Sequence, residues 1–389
     1  MLNNTRDVQR RGRLRSRGSL GALASLLLVV LAAGCGGSGG HQAPGAGVGS
    51  SGAGEGGSGL PGHHRHGGNE SAQRSAGAVA MSGVGGGALF GGDVPLLPVQ
   101  SQLGRRLAIV RVYYRIGETF PDQQARQAMA AGTTLLVSLD AVPRGGPAYS
   151  SIVAGQYDRT ILAFLDQVEQ AAVRYRLGAI YVAFEHEADS QPRFQLGSPA
   201  EFIAAWDHIH QLAASAHLDW NTGGRLHWAW ILTSFAFRKA GAAQAQGPGA
   251  ATYWPGTGEV DIVAADGYNA DGCRSARPGS DMIATGTRAA SPAKLFGPVV
   301  NFARSHGGLP VFIAEWGSVP YASPDMQAQY IDQMRTYVTA NPEIAAVLYW
   351  NSHGQHNGCD YSLDNHPAAI AALAAMGHSA GLQGRLAAN

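Results

Sequence analysis

Two stretches of the sequence end an apolar, strand-like run on a carboxylate. Residues 180–184 lead into a Glu-His-Glu sequence that ends at Glu187, and residues 309–314 lead into Glu315. Such runs are typical of buried parallel strands whose carboxyl ends open into an active site. A single glutamate at a strand end could equally be a solvated side chain with no catalytic role. The repeated pattern favours two carboxylates that face each other across one pocket.

A pair of glutamates can cleave a glycosidic bond. One protonates the leaving oxygen and the other acts on the oxocarbenium-like carbon, provided that their environments move their pKa values apart. Glu185 and Asp189 lie close to Glu187 in the sequence, and nearby negative charge favours the protonated form of a carboxyl group. Glu315 needs hydrogen-bond donors, and Tyr268 and His186 are the candidates.

Aromatic residues near the predicted strand ends could bind sugar rings, because sugars present apolar C–H faces to flat side chains. These residues are Trp228, Trp230, Trp316, Tyr349 and Trp350. Alternation along a strand sends about half of them towards the helices, and we expect Trp230 and Trp350 to line the pocket. Asp140, at the end of another predicted strand, would bind a sugar hydroxyl or cap a turn.

The elements that position these residues alternate between short apolar runs and longer Ala-rich stretches of helical period. Residues 86–380 therefore predict a single (β/α)8 TIM barrel of the α/β class, which typically needs about 250 residues. The predicted strands are 88–90, 107–113, 134–139, 179–184, 226–232, 262–267, 311–314 and 346–350. The predicted helices are 122–131, 157–175, 199–216, 292–304 and 324–339. A doubly wound open sheet is the alternative, but its Gly-rich turn would follow the first strand, and residues 85–87 precede it.

The N-terminal region has the pattern of an export signal. Residues 1–34 combine six arginines with an apolar run at 20–33, which is too short to span a bilayer. Residues 31–35 resemble a bacterial lipobox and predict lipidation of Cys35, with an ordinary secretory signal as the alternative. Residues 35–85 are rich in Gly, Ser and His and poor in large apolar residues, which is typical of a disordered tether.

Charge and cysteine content narrow the possible partners. Six of the 28 basic and one of the 27 acidic side chains lie in the leader, so 22 and 26 remain, a net charge of −4. This balance predicts no nucleic-acid partner. The sequence has no CxxC or HExxH spacing, and we expect no metal and no cofactor. Cys273 and Cys359 follow two predicted strand ends on the same face, and we expect a disulfide bond between them.

The sequence also resembles glycoside hydrolase family 26, the retaining β-mannanase family. The matching segments, in chain order, are GQYD at 155–158, His186-Glu187, AAWDHI at 204–209, residues 261–269, IAEWG at 313–317, and Trp350. The resemblance implies that Glu187 is the acid/base and Glu315 the nucleophile. It also implies that His186, Tyr268 and Trp350 line the subsite where the bond breaks.

One segment departs from that family. Its mannanases follow His-Glu with Met-Asn-Gly and then a tryptophan, whereas this chain reads ADSQPRF at 188–194. Asp189 stands in place of the asparagine, and Phe194 could take the place of the indole from a different offset. The reaction class is therefore better supported than mannan as the substrate.

The resulting functional prediction is a retaining endo-β-glycanase that hydrolyses a β-linked polysaccharide, with a mannan-like substrate favoured. Two alternatives stay open: a hydrolase or transglycosylase of the producer's own exopolysaccharide, and an inactive barrel that only binds polysaccharide. We expect a monomeric cell-envelope lipoprotein, held to the membrane through Cys35 and facing the periplasm or the cell exterior.

Overall fold

The computed structural model describes residues 86–141, 147–238, 249–270, 290–321, 324–353 and 359–384. Within them, eight parallel strands close into a barrel in chain order, which confirms the predicted (β/α)8 fold. The strands are β1 Leu89–Asp93, β2 Ile109–Arg115, β3 Thr134–Asp140, β4 Ile180–Phe184, β5 Leu226–Thr233, β6 Ile262–Asn269, β7 Val311–Ser318 and β8 Ile344–Tyr349.

Helices follow the strands around the outside of the barrel. In the described part of the chain they are α1 Gln100–Leu103, α2 Gln123–Ala130, α3 Tyr149–Val153, α4 Asp158–Arg174, α5 Pro199–Ser215, α6 Ser234–Phe237, α7 Pro292–Ser305, α8 Pro324–Ala340 and α9 Pro367–His378. The five predicted helices are present, with ends within about a residue of the prediction. None of the described helices is long and apolar enough to cross a membrane.

Local sequence explains where the long helices begin. Ser198 accepts a hydrogen bond from the backbone of Glu201, whose side chain bonds back to Ser198, and Pro199 occupies the first helical position. This capping box satisfies backbone N–H groups that have no partner within the helix. Ser291 caps α7 by a single bond, which its side chain accepts from the backbone of Lys294.

Alternation along each strand separates two apolar layers. On β2, Val110, Val112 and Tyr114 belong to the core between barrel and helices, whereas Ile109 belongs to the cluster inside the barrel. Arg111 and Tyr113 are two and four residues after Ile109, so they also point into the barrel, nearer the carboxyl end of the strand. The interior is therefore apolar at its base and polar towards the carboxyl ends of the strands, where sites lie in this fold.

Strand β7 contains a bulge next to its glutamate. Ile313 pairs with Ala265, but the next pair joins Glu315 to Asp266, so Ala314 is an extra residue. Ala314 packs inside the barrel, and Glu315 also points inward, to Arg111. Without the extra residue, alternation would turn Glu315 towards the helices, so the bulge directs its carboxylate into the site.

The chain enters the described barrel on the face opposite to the carboxyl ends of the strands. Gly87 forms an isolated antiparallel bridge with Leu382, and the backbone of Ala88 bonds to Gly381. Gly87 has φ +106°, and a Cβ atom there would lie 2.5 Å from the Gly381 carbonyl oxygen. The position therefore requires glycine, and the C-terminal segment closes the barrel base around it.

Candidate active site

Glu315 accepts hydrogen bonds from two tyrosines and forms an ion pair with an arginine. The Tyr113 hydroxyl lies 2.5 Å from Oε1, and Nη1 of Arg111 lies 2.9 Å from the same oxygen. The Tyr268 hydroxyl donates to Oε2. With only 7% of the residue exposed, these donors replace water around the carboxylate and fix its orientation.

Arg111 links Glu315 to the layer beneath it. Its Nη1 also lies 2.8 Å from Asp266 Oδ1, and its Nε donates to the Ser138 hydroxyl at 3.1 Å. Burial acts to lower the pKa of Arg111, but Asp266, Tyr113 and Glu315 raise it well above its usual value. The guanidinium therefore stays charged and holds two carboxylates on one side of the barrel.

The two tyrosines keep their protons and act as donors. Burial is the largest cause that raises the pKa of Tyr268 well above its ordinary value, and Glu315 and Asp266 add to it. Burial likewise raises the pKa of Tyr113, against the opposing effect of Arg111. Both hydroxyls are therefore neutral across the physiological range and can stabilise negative charge on Glu315.

The turn after β4 places Glu187 at the same end of the barrel. Glu185 and Glu187 have φ values of 47° and 54°, in the left-handed region that non-glycine residues rarely adopt. The Glu187 backbone N–H donates to the Ile231 carbonyl at 3.0 Å, which ties the turn to β5. Such strain, of order 1–3 kcal/mol per residue, is typical of functional sites.

Glu187 has the electrostatics of an acid. Burial and then the charge of Glu315 raise its pKa from 4.5 to about 7, with a smaller contribution from Asp189 and opposing effects of His186 and Arg111. Within the described residues, no hydrogen bond reaches its carboxyl group. The neighbouring Glu185, which the sequence suggested as a further source of negative charge, instead points to Arg193 and to the backbone N–H of Ala141.

His186 is held by a polar chain rather than by Glu315. Its Nδ1 lies 2.9 Å from Asp140 Oδ1, and Arg193 Nη2 lies 3.2 Å from Asp140 Oδ2. Burial acts to raise the pKa of Asp140, but His186 and Arg193 lower it to about 2. Both oxygens of Asp140 thus serve to orient His186 and Arg193, a role that the sequence did not predict.

The segment after Glu187 is tied to the end of β5 through Asp189. The Asp189 carboxylate accepts from the Thr233 backbone N–H at 2.9 Å and from the Thr233 hydroxyl. It is therefore directed at the end of β5. The short 3-10 helix Gln191–Leu196 follows, and it brings Arg193 to Asp140 while Phe194 stays 41% exposed.

Aromatic rings surround the two glutamates. The ring centroid of Tyr113 lies 5.8 Å from that of Trp350 and 5.6 Å from that of His186, both in edge-on geometry. Tyr268 packs on Tyr361 at 4.7 Å. Trp350, Tyr113 and His186 are partly exposed, so they form an accessible aromatic wall that suits the C–H faces of a sugar.

Trp230 does not join this wall, and the prediction that it lines the pocket is wrong. Its exposure is 0%, and its indole packs against Phe237, Trp254 and Phe302 between the barrel and the helices. Trp228 and Leu232 share this outward phase on β5. The residues of β5 that point inward are Ala229 and Ile231.

Two side chains on β2 were missed by the sequence interpretation. Arg111 and Tyr113 lie in an otherwise apolar run, IVRVYYR, two residues apart and therefore on one face. Burying a charged residue in the middle of a strand costs free energy unless the charge is paired. The arginine in this apolar run therefore indicated a buried ion pair. The β2 pair supplies one hydrogen-bond donor, Tyr113, and one ion-pair partner, Arg111, to Glu315.

The cysteine and metal predictions are not tested here. Cys35 and Cys273 lie outside the described residues. Cys359 is buried beside Val319, Tyr321 and Tyr361, so its loop packs next to Tyr268. Among the described residues, no group of three or more His, Cys, Asp or Glu side chains is arranged to hold a metal ion. The disulfide bond and the metal-free site stay predictions.

Comparisons with known proteins support the fold. No protein-family profile matches the sequence, and no curated protein is significantly similar to it. A GH26 β-mannanase from Bacteroides ovatus aligns over 80% of this chain and 94% of its own, with TM-score 0.54 and 13% identity. GH26C from a Muricauda species covers 82% and 94%, with TM-score 0.54 and 13% identity. A double mutant of an endo-β-1,4-mannanase from Cellulomonas fimi covers 79% and 75%, with TM-score 0.51 and 16% identity. The predicted resemblance to glycoside hydrolase family 26 is thus confirmed at the level of the fold.

Proposed function

We propose that the protein is a retaining glycoside hydrolase that cleaves a β-linked polysaccharide, with Glu315 as nucleophile and Glu187 as acid/base. The observation that carries the proposal is the contrast between the two carboxyl groups. Glu315 accepts hydrogen bonds from Tyr113 and Tyr268 and forms an ion pair with Arg111, whereas burial and Glu315 raise the pKa of Glu187 to about 7. Hydrogen-bond donors and an ion pair orient Glu315 as a nucleophile, and the raised pKa of Glu187 suits it to donate a proton near neutral pH.

The first half of the reaction uses both groups. A carboxylate oxygen of Glu315 attacks the anomeric carbon, the bond to the leaving oxygen breaks, and the Glu187 proton passes to that oxygen. The product is a glycosyl ester on Glu315 and a free sugar hydroxyl. Tyr268 and Tyr113 hold the attacking carboxylate in one orientation, which reduces the entropy lost on reaching the transition state.

The second half returns the enzyme to its starting state. Glu187, now ionised, takes a proton from a water molecule, and the water oxygen attacks the same anomeric carbon and displaces Glu315. Two inversions give net retention of configuration. His186, oriented by Asp140, and the aromatic wall of Tyr113 and Trp350 are placed to contact the sugar at the bond that breaks.

A mannan-type substrate is the first candidate, because the structures that share the fold include β-mannanases. The segment 188–194 is the feature that could redirect specificity. It places Arg193 and the exposed Phe194 after the acid/base, where that family carries a tryptophan. The producer's own exopolysaccharide is the second candidate, favoured by the predicted anchor and tether.

The test is a set of hydrolysis assays on mannan, xylan, mixed β-glucan and the polysaccharide of the producing organism. We expect new reducing ends from at least one of them, with mannan first, and none from the Glu315→Ala variant. Arg126→Gln, an exposed change in the first turns of α2, is the matched control and should cleave normally. Release of reducing ends by Glu315→Ala at the unaltered rate would reject the proposed nucleophile.

We further propose that the enzyme is displayed on the cell envelope through a lipid on Cys35. The lipobox-like residues 31–35 and the Gly/Ser-rich segment 35–85 support an anchor followed by a tether. Cells fed radiolabelled palmitate should label the wild type but not Cys35→Ser. Equal labelling of both would overturn the anchor and leave the catalytic proposal untouched.

A further inference from the structure

A cavity of about 770 Å³ opens on the face of the barrel away from the candidate active site. It lies where β2, β3 and β4 begin, between residues 104–108, residues 175–178 and the chain around His378 and Gln383. This volume falls within the range of about 300–1,000 Å³ that is typical of small-molecule sites. Nothing in the proposed hydrolysis uses it.

The lining of this cavity is basic. Arg105, Arg106 and Arg176 contribute to it together with His378, and the lining contains neither aspartate nor glutamate. Among the described residues, the arginines that pair with a carboxylate are Arg111, Arg193, Arg225, Arg304 and Arg335. Arg106 and Arg176 form no such pair there. Two guanidinium charges are therefore not neutralised by an ion pair.

Helix capping explains part of this arrangement. Arg106 Nη1 donates to the Ala131 carbonyl at the end of α2. Arg105 Nη1 donates to the Gly377 carbonyl in the last turn of α9 and lies 3.0 Å from the Leu382 carbonyl. Helices α2, α4 and α9 end beside the cavity, and each C-terminus carries roughly −0.5 of a charge. Arg106 and Arg176 alone carry two positive charges, which exceed the roughly −1.5 charges of the three helix termini, so positive charge is left in the lining. These backbone bonds orient the arginine side chains but do not neutralise their charge.

The remaining lining suits a sugar ring. Tyr175, which is partly exposed, contributes an aromatic side chain to the lining, and Gly104, Gly132 and Gly178 add no side chains to it. A guanidinium group binds a carboxylate through two parallel hydrogen bonds. We propose that the cavity is a second, non-catalytic saccharide site that binds a uronic-acid residue of an acidic polysaccharide.

The experiment is calorimetric titration of the purified full chain with a tetragalacturonide and with a neutral manno-oligosaccharide of equal length. We expect the acidic ligand to bind at least about tenfold more tightly, because its carboxylates can form charge-assisted hydrogen bonds with the guanidinium groups and the neutral ligand cannot. The Arg106→Gln/Arg176→Gln variant should lose about tenfold or more in affinity for the uronide. Arg126→Gln is the matched control and should bind normally, because this exposed arginine of α2 donates to the Pro121 carbonyl and is not part of the cavity lining.

Polysaccharide hydrolysis by the double variant reports folding and should match the wild type. If the double variant fails to fold, the single variant Arg176→Gln tests the proposal. The Arg176 side chain forms no hydrogen bond within the described residues, so the single variant should fold, and its affinity for the uronide should fall several-fold. Equal affinity for the acidic and neutral ligands, or an unchanged affinity in the variants, would overturn the proposal. Binding of inorganic phosphate or of phosphatidylglycerol vesicles without binding of the uronide would also overturn it, in favour of a phosphate or lipid site.

Discussion

Glu187 and Glu315 are chemically identical side chains in different surroundings. Glu315 receives two tyrosine hydroxyls and one guanidinium, which together favour negative charge on its oxygens. Glu187 is desolvated next to the charge of Glu315, and within the described chain no donor reaches its carboxyl group. The difference in roles at the residue scale therefore comes from β2, β6 and the turn after β4, and not from the glutamates themselves.

This difference predicts distinct behaviour of two variants. Glu315→Ala should abolish turnover of both polysaccharide and an activated aryl glycoside, because no nucleophile remains. Glu187→Ala should lose roughly 10²–10⁴-fold on polysaccharide but much less in the first step on a 2,4-dinitrophenyl glycoside, whose leaving group needs no proton. Steady-state and burst kinetics on the two substrates measure both effects. Identical losses in the two variants on the aryl glycoside would contradict the assignment.

The pKa of Glu187 predicts the alkaline side of the pH profile. Its carboxyl group must be protonated in the first step, and its pKa is raised to about 7, so kcat/KM on polysaccharide should fall as the pH rises above that value. The fall should approach tenfold per pH unit on polysaccharide. On the dinitrophenyl glycoside kcat/KM should lose this alkaline decline. A decline that begins near pH 4.5 on polysaccharide would show that burial does not shift Glu187.

At the scale of elements, sequence patterns predicted the strands but not their irregularities. The apolar runs and carboxylate ends located β4 and β7, yet the extra residue Ala314 and the positive φ values at Glu185 and Glu187 carry no sequence signature. These irregularities turn Glu315 and Glu187 into one pocket. Alternation alone also does not say which residues of β5 point into the barrel. The prediction therefore placed Trp230 in the pocket, whereas it belongs to the core between barrel and helices.

The loops after β6 and β8 carry the predicted disulfide bond between Cys273 and Cys359. The buried position of Cys359 beside Tyr361, which contacts Tyr268, would place such a bridge at the pocket rim. The bridge would close a loop of 359 − 273 = 86 positions. The loss of chain entropy in the unfolded state would then stabilise the fold by about 4–5 kcal/mol at most. A thiol titration of denatured, unreduced Cys35→Ser protein should find no free thiol, and reduction should lower the melting temperature. Two reactive thiols per chain would reject the bridge.

At the scale of the whole molecule, the barrel separates two faces. The carboxyl ends of the strands hold the candidate active site, and the opposite face holds the point where the chain enters the described barrel, at Gly86 and Gly87, and the arginine-lined cavity. The fold was predictable because alternating strand and helix patterns over 86–380 admit few architectures. The cavity was not, because Arg105, Arg106 and Arg176 come together only after β2 and β4 have paired with β3.

Retention of anomeric configuration is the central claim, and proton NMR of the first product tests it most directly. A double displacement through Glu315 requires carboxyl groups about 5–5.5 Å apart and releases a product with the configuration of the substrate bond. In early time points, before mutarotation, we expect the β-anomer from a β-linked substrate. First appearance of the α-anomer would mean a single displacement by water and would contradict the assignment of Glu315 as nucleophile.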